Sequence, residues 1–536
     1  MTTPSPPITP PFPGGGEGSG TVFAAFERTA RAHGAKPFLH VPGEAELGYA
    51  QALARVAALA GRYRARGWRA GHRVAVLLEN RPEFLLHFLA LNAVGAGIVP
   101  LNPDYRAAEL EYVLGHSDAA LVVTFPEHAA KFPGRPLAVV AGDFDPPAAG
   151  APGDASECAL LYTSGTTGRP KGCLLSDFYF LHLGRQYVTE GGLCAVREGE
   201  ERLITPLPLF HMNALACSTM AMILAAGCIV QLDRFHPRTW WEHVVGARAT
   251  IVHYLGVMPA ILLAQAPGPH DRAHRVRFGY GANANPKDHA AFEARFGFPL
   301  IEGWAMTETG GGAVISASRE PRHVGTRCFG APRAGIEVRI VDERERDVPE
   351  GEPGELLVRQ AGPDARRGFF SGYLKDAAAT EQAWRDGWFH TGDAVRRGPD
   401  GMLHFVDRRK NIIRRSGENI AALEVEAALA GHPAVGQVAV IAAPDPVRDE
   451  EVLACVVAAA DAPRTHETAV AIQDWCLERL AYFKAPGYVA FLDQLPTTAT
   501  NKVQKARLAD FGANPLASPE CFDLRERKKR DRAPAR

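Results

Sequence analysis

The segment Arg73–Thr124 reads RVAVLLENRPEFLLHFLALNAVGAGIVPLNPDYRAAELEYVLGHSDAALVVT. Three apolar runs, Val74–Leu78, Ile98–Leu101 and Ala120–Thr124, are separated by two stretches of helical pattern, Pro82–Val94 and Ala107–Leu114. This βαβαβ rhythm predicts an α/β body built on doubly wound, mostly parallel sheets with helices on both faces. Folds of that kind bind ligands at the carboxyl ends of their strands. The alternation resumes after Ala159 and is expected to run to about Phe405.

Outward from that segment the texture changes twice. Met1 to Gly20 is rich in Pro and Gly, without the basic start and apolar run of a secretory signal, and reads as a flexible lead-in. Beyond Asp407 a shorter α+β succession begins: strand Ile412–Arg415, helix Ala422–Ala430, strands Val435–Ala442 and Val452–Ala459, helix Glu467–Leu480. The expected organisation is therefore a lead-in over 1–20, a large N-terminal domain over 21–406, a hinge at 407–412, a small mobile domain over 413–510 and a frayed charged tail over 511–536. A chain of 536 residues exceeds what one core can fill, so two domains or more are required in any case.

Composition narrows the function classes. A net charge of -1, with 46% hydrophobic and 22% charged residues, gives no overall pull toward nucleic acid or an anionic membrane. Nine cysteines are scattered without a CxxC pair, the pattern of reduced thiols in a cytoplasmic protein. Met212–Leu232, the longest uncharged stretch, is interrupted by Asn213, Ser218, Thr219, Gly227 and Gln231, and reads as a buried helix followed by a strand rather than a membrane span.

Leu161–Gly172 reads LYTSGTTGRPKG, an apolar strand end followed by Thr163, Ser164, Gly165, Thr166, Thr167, Gly168 and Lys171. Small residues let backbone N–H groups approach an anion, hydroxyls add donors and a lysine adds charge, which together suit a polyphosphate. The spacing differs from that of P-loop NTPases. Further along lie GWAMTET at 303–309, GYL at 372–374, WFHTGD at 388–393, DRRKNIIRRSGE at 407–418 and PTTATNK at 496–502.

Taken in this order, these strings resemble the signatures of the acyl-adenylate-forming (AMP-binding) superfamily, over about Val22 to Leu508. The texture is closest to its acyl-CoA synthetase branch and to crotonobetaine/carnitine–CoA ligase-like members. The resemblance implies an ATP- and Mg2+-dependent carboxylate–CoA ligase that forms an acyl-adenylate and passes the acyl group to the thiol of coenzyme A. It admits a homodimer, no nucleic-acid partner and no membrane span. A stand-alone enzyme loading a carrier protein and a non-catalytic nucleotide-binding module are the alternatives.

Residue roles follow from the same resemblance. Lys502 meets the substrate carboxylate and the α-phosphate, Thr307 contacts that phosphate and Glu308 holds Mg2+. Asp393 accepts from the ribose hydroxyls with Arg408 assisting there or at phosphate, Gly281 and Ala282 lie against the nucleotide, and Trp304 lies against the adenine or the acyl pocket. His211, Asn213, Tyr254, Gly256, Tyr280 and Asn283 form the acyl pocket; their polarity points to a short or polar acid. Lys410 is the hinge, and Ser416, Gly417 and Glu418 are the face turned to coenzyme A in the second half-reaction. Asn501 stands where the family usually has Gly, and both tolerate left-handed backbone.

Overall fold

A computed structural model describes residues 20–140, 146–147, 157–163, 169–408, 412–496, 503 and 505–529. Of the expected site, Ser164 to Gly168, Lys410 and Lys502 lie outside the described residues, and Arg408 is described for its backbone alone. The described residues fall into two compact units, one within 1–102, 117–161 and 172–407, the other within 103–116, 162–171 and 408–536.

In the larger unit the segment that opens the sequence argument folds as its pattern requires. Strands Arg73–Leu77, Gly97–Pro100 and Leu121–Thr124 are parallel neighbours, with Val74 opposite both Ile98 and Leu121. Every residue of the three is buried, as expected for strands covered on both faces. Helix Pro82–Ala93 starts on a proline, whose fixed φ suits the first turn, and is buried from Phe84 through Asn92. These strands belong to a seven-stranded sheet. An eight-stranded sheet supplies the second layer, with Ile251–Leu255, Phe278–Ala282 and Leu300–Trp304 as consecutive parallel strands. The stretch 212–232 is a buried π-turn Asn213–Ser218 running into helix Thr219–Leu224, then strand Cys228–Gln231.

Two expectations are corrected here. Helix–strand alternation does not reach Phe405: from Cys328 a five-stranded antiparallel sheet takes over, with Ile336–Val341, Gly354–Gln360 and Phe389–Arg397 as adjacent strands. The apolar run in Gly354–Gln360 can be read as a parallel-sheet strand because periodicity alone does not give strand direction. The second correction concerns 511–536. Up to Lys529 this segment is part of the smaller unit, not a frayed tail: strand Cys521–Asp523 pairs antiparallel with Tyr488–Phe491. Two of its charges are paired with buried carboxylates. Arg525 Nη1 lies 3.0 Å from the buried Asp445 carboxylate, and the fully buried Lys528 ammonium donates to Glu451, which also accepts from Arg415 Nε at 2.7 Å.

The smaller unit has its own core, in which Ile413, Val425, Val440, Val452, Ile472 and Val489 are buried together. Its expected strands and helices are present at Ile412–Arg415, Ala422–Leu429, Val435–Asp445, Asp449–Ala458 and His466–Arg479. Segment 103–116 joins it through a buried ion cluster: Lys484 Nζ donates to Glu109 Oε1 at 2.6 Å and to Glu424 Oε1 at 2.8 Å, beside the Tyr105 ring. The expected division of the chain at 407 had no place for this excursion, which groups 103–116 and 162–171 with 408–536.

Two buried histidines set an acid limit. Burial lowers His87 to about 3 and His253 to about 3, so the folded chain holds both neutral. Unfolded, each titrates near 6.5, so between those values the unfolded chain binds the extra protons and stability rises with pH. The stabilisation is complete above about pH 6.5 and is lost on acidification toward about pH 3, at on the order of 1 kcal/mol per pH unit for each group. Urea midpoints measured from pH 7 to pH 4 should fall, and His87→Phe should flatten that dependence relative to wild type. An unchanged slope would mean that His87 titrates normally in the fold.

Candidate active site

The strand Leu300–Trp304 ends in the turn that carries Thr307 and Glu308. Thr309, fully buried, closes this turn: its hydroxyl accepts from Met306 N–H at 2.9 Å and donates to Met306 O at 3.2 Å. Outside partners clamp the two central residues. Tyr179 O–H donates to Thr307 O at 2.8 Å, Phe370 N–H to Glu308 O at 2.9 Å, and Tyr373 O–H to the Glu308 carboxylate at 3.0 Å. Burial, and then the Glu308 charge, push the Tyr373 phenol far above its ordinary pKa, so it remains a donor at every working pH. A buried carboxylate held by a neutral donor is a suitable oxygen ligand for Mg2+, which takes one or two protein carboxylates and shares the rest of its shell with phosphates.

Tyr373 also ties this turn to the strand that leaves the glycine- and threonine-rich loop. Gly372 and Tyr373 pair antiparallel with Leu174 and Cys173. At the loop itself Thr163 ends the strand Glu157–Thr163 and Lys171 begins the strand Lys171–Ser176. The flanks are fixed by helix Ala107–Ser117, where Tyr112 O–H donates to Pro170 O at 2.9 Å and His116 Nδ1 meets the Tyr162 hydroxyl at 2.8 Å.

Asp393, from the antiparallel sheet, meets the same region. Trp304 Nε1–H donates to Asp393 Oδ2 at 3.0 Å, both side chains being buried, with the indole ring tilted against Phe329. The pair links the end of a parallel strand to a residue 89 positions later in the chain. A carboxylate has about four acceptor positions, so the indole occupies one of them and fixes the orientation of the rest.

The segment Gly281–Asn283, a strand end and the first residue after it, is held by Glu302. Its carboxylate accepts from Asn283 N–H at 2.7 Å, Ala284 N–H at 2.9 Å and Tyr254 O–H at 2.8 Å, and burial raises its pKa while these donors pull it down. Here the expected acyl wall needs a correction. Tyr254 is 1% exposed and its single hydroxyl proton is spent on Glu302, so it supports that segment instead of lining a cavity. Gly256 has a packing role as well: a Cβ there would sit 1.7 Å from the Asn283 carbonyl oxygen, which no side chain permits. Tyr280 and Asn213 enter a polar cluster with His253, whereas His211 is half-buried beside Phe210.

In the smaller unit Ser416 and Gly417 form the two-residue turn of a hairpin whose strands pair Arg415 with Glu418. Both turn residues have positive φ, at 51° and 90°, the geometry that matches the twist of a tight hairpin. Arg415 is anchored at its base by Glu451.

The chain matches the AMP-binding enzyme family over residues 26–374 and the AMP-binding enzyme C-terminal domain over residues 424–502. It belongs to the AMP-binding enzyme family. A feruloyl-CoA synthase of an Amycolatopsis species is 36% identical over 480 residues, covering 87% of this chain and 94% of that one. A crotonobetaine/carnitine–CoA ligase of Shigella flexneri is 31% identical over 476 residues, covering 82% and 89%. Among solved structures, o-succinylbenzoate CoA synthetase from Bacillus subtilis, bound with a product analogue, superposes with a TM-score of 0.79 at 25% identity, covering 91% of this chain and 98% of that one. This AMP-binding enzyme is an AMP-forming acid–thiol ligase: it uses ATP, Mg2+ and coenzyme A, and acts through an acyl-adenylate. Among the described residues no helix is long and apolar enough to cross a membrane.

The sequence alone did not single out Tyr373, Tyr179, Thr309, Glu302 or His253. Tyr373 could have been found, since it is the central residue of the GYL string. Thr309 likewise ends the GWAMTET string and bonds within its own turn, whereas Tyr179, Glu302 and His253 have no local signature, because each acts through a partner in another element.

Proposed function

We propose that this ligase activates a short or polar carboxylic acid in the cytoplasm, with the roles divided among its residues as follows. Glu308 would hold Mg2+, which when bound supplies positive charge against the phosphate oxygens. Thr307 donates to the α-phosphate, the loop Thr163–Gly168 and Lys171 cradle the outer phosphates, and Asp393 accepts from the ribose with Arg408 beside it. Lys502 brings the substrate carboxylate and the α-phosphate together and neutralises both. Gly281 and Ala282 lie along the nucleotide, and His211, Asn213, Tyr280 and Asn283 face the acyl group. Rotation about Lys410 then turns the hairpin carrying Ser416, Gly417 and Glu418 toward the thiol.

The observation that carries this reading is the convergence at one strand end: Trp304 on Asp393, with Glu308 held by Tyr373 from the strand beside the phosphate loop. Three motifs remote in sequence are thereby joined through named hydrogen bonds. The reading is tested by screening short aliphatic, hydroxylated, aryl and long-chain carboxylic acids for acid-dependent pyrophosphate release, followed by thioester formation with coenzyme A. Highest kcat/KM on a long unsubstituted fatty acid would overturn the assignment of a short or polar substrate.

A further inference from the structure

His253 is fully buried, yet both its ring nitrogens have partners. Nε2 lies 2.8 Å from the Tyr187 hydroxyl; Nδ1 lies 2.8 Å from Ser218 Oγ and 3.0 Å from Asn213 Oδ1. The protons can be placed. With the single Ser218 hydroxyl proton on Asn213 O at 3.1 Å, its oxygen accepts from His253, and we assign the ring the tautomer in which Nδ1 carries the hydrogen. That hydrogen is shared with the Asn213 side-chain oxygen. Nε2 is then an acceptor, filled by the Tyr187 hydroxyl. Burial keeps the ring neutral, so one nitrogen donates and the other accepts.

The network therefore fixes the Asn213 amide: its oxygen is turned to His253 and its NH2 is turned away. Asn213 is half-buried, and no described residue accepts from that NH2. Other hydroxyl protons nearby are already used. Tyr187 donates to His253, and Ser316 donates to Glu190 at 2.8 Å while hydrogen-bonded to Tyr280. Glu190, whose charge acts on Tyr280, is itself paired, its Oε2 lying 2.6 Å from Arg333. Position supports a ligand-facing role. His253 and Tyr280 are cross-strand partners two residues from the carboxyl ends of their parallel strands, next to the Gly281–Asn283 segment. Asn213 opens a π-turn, an element that recurs at functional sites.

We propose that Asn213 is the specificity-determining donor of the acyl site, that His253 is the residue that positions it, and that the preferred acid bears an uncharged hydrogen-bond acceptor, an ether, hydroxyl or carbonyl oxygen, on the part remote from its carboxylate. This rests on the reading that Asn213 and Tyr280 face the acyl group. A hydrocarbon in place of the acceptor leaves the amide donor unsatisfied, and a second charge is desolvated against a neutral amide.

The test compares matched acids on the full chain: 4-methoxybenzoate, 4-ethylbenzoate and 4-carboxybenzoate, with 4-methoxybutanoate and hexanoate as an aliphatic pair. The read-out is kcat/KM for pyrophosphate release. In at least one pair the ether should be favoured over its hydrocarbon isostere by roughly 10- to 100-fold, chiefly through KM, and the charged acid should rank lowest. His253→Phe and Asn213→Leu should each bring the ether-to-hydrocarbon ratio to within about threefold of unity. His253→Asn, which keeps a donor on the Nδ1 side, should restore most of it. Should His253→Phe misfold, Asn213→Leu alone decides, since that side chain is half-buried. A wild-type ratio near one, or a ratio that survives Asn213→Leu, overturns the proposal while leaving the acyl-site reading intact. No release with any of the five acids overturns both.

Discussion

A Lys502→Ala chain should form acyl-adenylate at roughly a thousandth of the wild-type rate or less, while converting pre-made acyl-adenylate to thioester at a rate within a few fold of wild type. The first half-reaction joins a carboxylate to the α-phosphate of a triphosphate. At about 4 Å and an effective dielectric of about 20, the repulsion between two unit charges is about 4 kcal/mol, and a tenfold change in rate corresponds to about 1.4 kcal/mol. Removing the ammonium proposed to neutralise both partners is thus expected to cost on the order of 10³ in rate. In the second half-reaction the carbonyl is already activated and no anion approaches another, so the same lysine has little to do. Acid-dependent pyrophosphate release and thioester formation from supplied adenylate, measured separately, check the asymmetry. Equal loss in both half-reactions would show that Lys502 serves folding or domain placement, and normal adenylation would remove it from the chemistry.

What could be read from the sequence was local. The strands at 73–77, 97–100 and 121–124 and the helix between the first two declare themselves through short-range periodicity, and their observed bounds differ from the expected ones by a residue or so. The hairpin at 412–421 is half legible: Ile412–Arg415 opens on two isoleucines, whereas Glu418–Ala421, of the same length, opens on Glu and Asn and shows no apolar run. Motif strings fixed the order of the site elements. What they could not give was orientation, and Tyr254 is the example: in a strand successive side chains face opposite sides, so its identity says nothing about whether the phenol meets substrate or Glu302.

Charge misled for a related reason. Lys528 and Arg525 look solvated in a basic run, and Glu109 looks like an ordinary helix-surface residue. Each is neutralised by a group far away in the chain, Lys528 by Glu451 and Glu109 by Lys484, 375 positions on. No window that slides along a sequence contains both members of such a pair. The same holds for the third sheet, whose antiparallel pairing of 336–341, 354–360 and 389–397 is set by long-range register rather than by any one strand's pattern.

Asp393→Ala should raise KM for ATP and lower kcat/KM for ATP by roughly 10²- to 10⁴-fold, leaving KM for the carboxylic acid nearly unchanged. The estimate follows from losing two charge-assisted hydrogen bonds to the ribose diol at about 1.5–3 kcal/mol each. Asp393→Asn keeps the shape and an oxygen for the Trp304 indole but loses the charge, and one ribose hydroxyl then meets an NH2 group; a loss of about 10² is expected. Trp304→Phe removes only the indole donor to Asp393 Oδ2, a single hydrogen bond that orients the carboxylate, and should cost about tenfold or less. The three variants therefore form a graded series in ATP affinity. A structural role for this buried carboxylate would give a different series, in which urea midpoints fall with the same ranking while KM for ATP stays put. That second pattern would place the ribose elsewhere and leave Asp393 as the pin between the parallel strand ending at Trp304 and the antiparallel sheet.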